Sequence, residues 1–130
     1  LVARKMEIND NVIPASSSTM ANNLFMLGHL LDKDEYLNMA EVQLNNIKEN
    51  MAQYGSGYSN WGSLMLNKIN PFYEVAIVGL KAQEKVLQLH QAEYHPNKIF
   101  IGSNGDSDLA LLENKYQAGK TMIYVCLNSR

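Results

Sequence analysis

The residues that could do chemistry in this chain are few. Asp10 and Glu74 could form an acid pair, but glycoside chemistry needs a specific gap between two carboxyl groups, and the sequence does not measure theirs. Asp10 is suited to general acid/base work only if burial raises its pKa. A turn or helix cap calls for the same residue type, because an Asp side chain bonds nearby backbone. Asn11, Ser16 and Ser18 follow closely and could line a cavity beside Asp10 as ligand-binding groups. Tyr54, Tyr58, Trp61, Phe72 and Tyr73 could build a sugar-stacking wall, with Tyr58 and Trp61 as the stacking groups. A helix-to-sheet junction needs the same rings for packing.

Three other features have a bland explanation beside the chemical one. Gly79-Leu80-Lys81 follows an apolar run and opens a helical one, so its N–H groups could hold a phosphate. Only the first glycine of the dinucleotide fingerprint is present, however, and a tight turn accounts for it. Cys126 has no Cys-x-x-Cys partner and fits a small buried hydrophobe in a strand. His29, His90 and His95 share no spacing that puts two ligands on one helix face, so neither a metal nor a cofactor is expected.

The elements that must position these residues change character at Asn70-Pro71. Upstream, apolar residues recur at helical steps. Ser16, Ser17 or Ser18 can cap a first helix running to Leu31, with Met20, Leu24, Leu27 and Leu31 as its stripe and Ala21, Phe25 and Gly28 widening it. Asp32, with Glu35 three residues on, reads as the N-cap of a second helix through Met51. The short joint predicts an antiparallel hairpin. A third helix, Ser59 to Ile69, carries Trp61, Leu64, Met65 and Ile69 on one face, and Pro71 ends it.

Downstream, Phe72 to Gly79 reads as a central strand apolar on both faces. A helix over 81–93, a strand Lys98 to Gly102, a short helix Asp108 to Glu113 and a last strand Thr121 to Leu127 follow. The expected fold is thus an α/β, or α+β, composite. A helical segment over 1–70 precedes a small βαβ-type three-stranded sheet over 71–130.

Composition narrows the classes. The 130 residues are 46% hydrophobic and 18% charged, with net charge −2. Arginine occurs only at Arg4 and Arg130, which excludes the clustered cations of a nucleic-acid interface. No apolar run approaches the roughly 20 residues that span a bilayer. The single cysteine rules out an internal disulfide and is consistent with a reducing, cytoplasmic setting. The chain opens on Leu1 without an initiator Met, and it is read as a piece of something larger.

Three stretches carry a family resemblance. Asp10-Asn11-Val12-Ile13-Pro14-Ala15-Ser16-Ser17-Ser18-Thr19-Met20-Ala21 resembles the Asp-Asn-x-x-Pro-Ser-Gly-Asn-Ser-x-x-Ala stretch of the spermatogenesis-associated protein 20-like family. Pro71 to Gly79 resembles that family's strand after its last toroid helices. Thr121 to Asn128 resembles its closing Ala-Tyr-Val-Cys-x-Asn-x-x-Cys motif. The matches fall in family order across nearly the whole chain.

The resemblance implies the C-terminal part of a protein with a thioredoxin-like domain and an (α/α)6 toroid. Residues 15–69 would then be the last toroid helices and 71–130 an α/β appendage, with the missing upstream portions as partners. Two departures stand out: Ser17 replaces the family's Asn, and the chain stops at Arg130 before the second Cys that Cys126 would face. The implied function is a non-catalytic C-terminal region. Alternatives are part of a carbohydrate-active enzyme (epimerase-, isomerase- or glycosidase-like), with Asp10 as its acid/base, and a small-molecule-binding α/β module near Gly79 and Gly102. An incomplete toroid leaves apolar faces bare, so self-association is expected through Phe25, Leu27, Met51 or Trp61.

Overall fold

A computed structural model describes residues 6–92 and 94–128; Arg4, Glu93 and Arg130 of the expectations above lie outside them. The chain is a mixed α/β protein whose described residues divide into two compact units. The first comprises residues 6–28 and 33–69, and the second residues 29–32 and 70–128.

In the helical unit, α1 begins at Ser16, and its full span of Ser16–Leu31 crosses into the second unit. The face of α1 that turns inward carries Ser18, Ala21, Leu24, Phe25 and Gly28. Met20 and Leu27, expected inside, are exposed. Ala21, Leu24, Phe25 and Gly28 face in as expected; the inward stripe is turned away from Met20 and Leu27 toward buried Ser18.

α2 spans Asp34–Gln53 and buries Ala40, Leu44 and Ile47. The expected cap is corrected. Asp32 takes a left-handed backbone (φ 52°) and closes α1, while Lys33 stands at the N-cap of α2 with no side-chain capping bond. The Lys33 N–H donates to the Gly28 carbonyl at 2.9 Å, the wide wrap that ends a helix on a left-handed residue. Gly28 is also needed for space, since a Cβ there would lie 2.5 Å from Leu37 Cδ2. A 3-10 turn, Gly55–Tyr58, leads into α3, Ser59–Ile69, which buries Trp61 and Leu64 and leaves Met65 and Ile69 exposed.

The second unit is a three-stranded sheet in the order β2-β1-β3. Its strands are β1 (Tyr73–Val78), β2 (Lys98–Ser103) and β3 (Met122–Cys126). β2 pairs parallel to β1 through the crossover helix α4, Ala82–Ala92, and β3 pairs antiparallel. The sheet has two apolar faces. Val75 and Ile77 pack with Ala82, Val86, Leu89 and Phe100 on the α4 side. Ala76 and Val78 pack with Ile101, Leu109, Leu112 and Tyr124 on the other.

The short helix expected over Asp108 to Glu113 is instead a run of turns, with Leu112 and Glu113 N–H groups both donating to the Leu109 carbonyl. Six residues give too few bonds to offset helix nucleation, and left-handed Asn114 ends the run. The turns still place Leu109 and Leu112 over the sheet.

Candidate functional site

A buried polar cluster in the helical unit centres on Asp10. Residues 6–14 have no regular structure of their own and are fixed by bonds to the helices. The Asp10 N–H donates to the Gly57 carbonyl at 2.7 Å, the Ser17 N–H donates to the Glu7 carbonyl at 3.2 Å, and the Trp61 indole N–H donates to the Ile8 carbonyl at 2.8 Å. Asp10 thereby reaches the first turns of both α1 and α3. Its Oδ1 accepts the Ala15 N–H at 2.9 Å and the Ser18 hydroxyl at 2.6 Å. Its Oδ2 accepts the Asn60 N–H at 2.9 Å. The Asn60 amide donates to Ser18 Oγ at 3.0 Å, and the Asn22 amide donates to the carbonyls of Ser18 and Asn60.

One carboxylate therefore caps two helices, where orphan N–H groups and both helix dipoles favour negative charge. Burial pushes the Asp10 carboxyl up, but the Ser18 hydroxyl and the N–H groups of Ala15, Asn60 and Trp61 together outweigh it. The net effect holds Asp10 below its ordinary pKa. The condition for a general acid, a pKa raised by burial, is not met; Asp10 is a fixed anion.

The other candidates scatter. Asn11 and Ser16 are exposed, and Asn11 Oδ1 accepts the Val12 N–H at 2.9 Å. Ser18 is fully buried inside the capping cluster. Tyr58 and Trp61 are 7% and 1% exposed, so neither ring offers a face for a sugar. Phe72 is also buried, whereas Tyr54 and Tyr73 are exposed. Phe25 and Trp61, named as self-association contacts, are buried too.

Glu74 belongs to the sheet unit and has a different partner from Asp10. It is fully buried in β1, where His29 Nδ1 lies 2.7 Å from its Oε1. The His29 ring, itself 7% exposed, packs against Phe72 with centroids 4.8 Å apart. A buried carboxylate in an apolar strand is costly without such a partner. Glu74 was singled out in the sequence; its partner, 45 residues earlier, left no local signal. Cys126 is free, buried and directly across the ladder from Glu74.

The Gly79 turn is already filled. Gly79 has φ 130°, and a Cβ there would fall 2.1 Å from the Lys120 carbonyl oxygen. The Gly79 N–H donates to the Ser103 carbonyl, and the Lys81 N–H at the start of α4 faces Thr121 Oγ1 at 3.3 Å. The glycine serves close packing of the 120–121 segment rather than a phosphate cradle.

Among the described residues, no three His, Cys, Asp or Glu side chains are grouped to hold a metal ion, and no buried side-chain nitrogen or oxygen lacks a hydrogen-bond partner. No helix among them is long and apolar enough to cross a membrane. An open depression of about 310 Å³ lies beside the end of β2, lined by Gln83, Val86, Leu87, Gly102 and Asn104. Another, of about 630 Å³, runs along α2 past Glu35, Asn38, Met39, Val42 and Gln43. Neither is lined by Asp10, Asn11, Ser16, Ser18, Tyr58 or Trp61. Comparisons of the chain with protein-family models, curated proteins and solved structures returned no match.

Proposed function

We propose that the chain is a non-catalytic structural module, the C-terminal region of a protein that carries a thioredoxin-like domain and an (α/α)6 toroid upstream. The observation that carries this reading is the commitment of Asp10, whose two carboxylate oxygens both accept bonds at the starts of α1 and α3. Apolar side chains on the outer faces of the helical unit add support. Met20 and Leu27 on α1, Met39 and Val42 on α2 and Ile69 on α3 are exposed, as expected of helices that pack against further helices.

Two measurements test it. Titration of the ¹⁵N-labelled chain with monosaccharides is expected to give no saturable shift of the Asp10, Ser18 or Trp61 amides; saturable shifts there would restore the carbohydrate-active alternative. Reading the gene upstream of the Leu1 codon is expected to reveal helical hairpins preceded by a thioredoxin-like domain. An upstream frame encoding neither would sink the assignment.

A further inference from the structure

The sheet order leaves β3 at an edge, and this edge lacks the usual protections. A strand edge presents unpaired N–H and C=O groups that template pairing with another extended chain. Proteins blunt such edges with lysines, prolines, bulges or inward charges. Met122-Ile123-Tyr124-Val125-Cys126 contains no charge, no proline and no glycine. Its register with β1 runs unbroken from Glu74↔Cys126 to Val78↔Met122. Among the described residues, β3 has β1 as its one strand neighbour. The face is bare as well: Ile123 and Val125 lie across from Ile77 and Val75, on the α4 side, yet are 46% and 63% exposed.

We propose that β3 pairs antiparallel with β3 of a second copy of this chain, joining two three-stranded sheets into one of six. The pattern of the strand selects that occupant. The exposed apolar residues stand symmetrically about Tyr124, so a two-fold axis there sets Ile123 opposite the copy's Val125 twice over. Opposed residues share a face of the sheet, and both apolar pairs leave water together. With no charge on the strand, a copy meets no repulsion within the ladder.

Lys115 lies over the strand, its Nζ 6.0 Å from the Tyr124 ring centroid. Two such lysines flank the axis, so added salt tightens the pair. One strand edge buries less than the roughly 1,200 Å² of a standard interface, which makes the dimer weak and concentration-dependent. This contact uses the sheet, not the helical residues first named for self-association, and it does not rest on the toroid reading.

The test is sedimentation equilibrium of the full chain across concentration and salt. A reversible dimer is expected. Val125→Lys, at an exposed site that leaves the circular-dichroism spectrum unchanged, raises its dissociation constant about tenfold or more. Leu27→Lys on α1 leaves it unchanged. Register is read by cross-linking: Ile123→Cys/Val125→Cys together form disulfide-linked dimers with oxidised glutathione, because opposed Cα atoms lie about 4.5–5.5 Å apart. Either single cysteine, offset from its own copy, cross-links poorly. A monomer at all concentrations to about 1 mM, a dimer indifferent to Val125→Lys, loss of the dimer through Leu27→Lys, weakening by salt, or equal cross-linking by single and double variants overturns the proposal.

Discussion

Replacing Asp10 by Asn separates a cap from a catalytic acid by the sign of the stability change. The carboxylate accepts the Ser18 hydroxyl and the N–H groups of Ala15 and Asn60 at the starts of α1 and α3. Asn keeps one acceptor oxygen and turns an NH₂ group toward a donor. Losing one good N-cap costs about 1 kcal/mol, and losing a negative charge beside two helix N-termini costs about 0.5–1 kcal/mol more. Asp10→Asn should therefore destabilise the helical unit by about 2 kcal/mol at neutral pH, and Asp10→Ala, which also strips the Ser18 hydroxyl of its 2.6 Å acceptor, by about 3 kcal/mol.

Urea unfolding followed by tryptophan fluorescence is the assay. Trp61 is the chain's single tryptophan and sits in the same cluster. The pH dependence adds a second constraint. The folded pKa of Asp10 is lowered, so its stabilisation is fully present above the unfolded value of about 3.9 and drains away as pH falls through the folded one. The gap between wild type and Asp10→Asn should be flat from about pH 5 to 8 and narrow below about pH 3.9. A variant as stable as wild type, or more stable, would refute the reasoning; the latter is the common signature of neutralising a strained active-site group.

Three further outcomes follow from the geometry. Gly79→Ala should lose about 3 kcal/mol in thermal unfolding, since its Cβ would meet the Lys120 carbonyl at 2.1 Å and φ 130° strains any L side chain. Glu74→Leu should cost about 3 kcal/mol by removing the carboxylate that His29 Nδ1 meets at 2.7 Å, and adding His29→Leu should recover much of it; a double-mutant cycle in urea with no coupling would refute the pairing. Glu41→Gln, which breaks the half-exposed 2.6 Å pair with Lys68, should change the urea midpoint by less than about 0.5 kcal/mol equivalent.

What was legible in the sequence was local. Pro71 ending α3 and the apolar run that became β1 rest on residues acting on their own neighbours, and each formed within a residue or two of expectation. Other features depend on distant partners. The spacing of α1 residues shows the helix and most of its inward side, but not the burial of Ser18, which meets Asp10 and Asn60, or the exposure of Met20 and Leu27. Asp32 looked like an N-cap because Asp commonly caps; the wide bond from Lys33 to Gly28 instead bends the chain through Asp32. For Asp10, capping and acid chemistry require the same side chain, and only the count of donors around it tells them apart. His29 gave no hint of Glu74, because nothing between them repeats or alternates toward the contact.

The order in which the sheet is assembled has a consequence for biosynthesis. β1 is the middle strand, yet it leaves the ribosome before either neighbour, and the partner of Glu74 on β3 is Cys126, roughly 50 residues later. At roughly 5–20 residues per second, a nascent chain holds that side of its most apolar segment open for several seconds. Chaperones that grip extended apolar segments have their clearest opportunity in that interval, and a ribosome stalled before Met122 would display Val75 to Val78 as bait for misassembly.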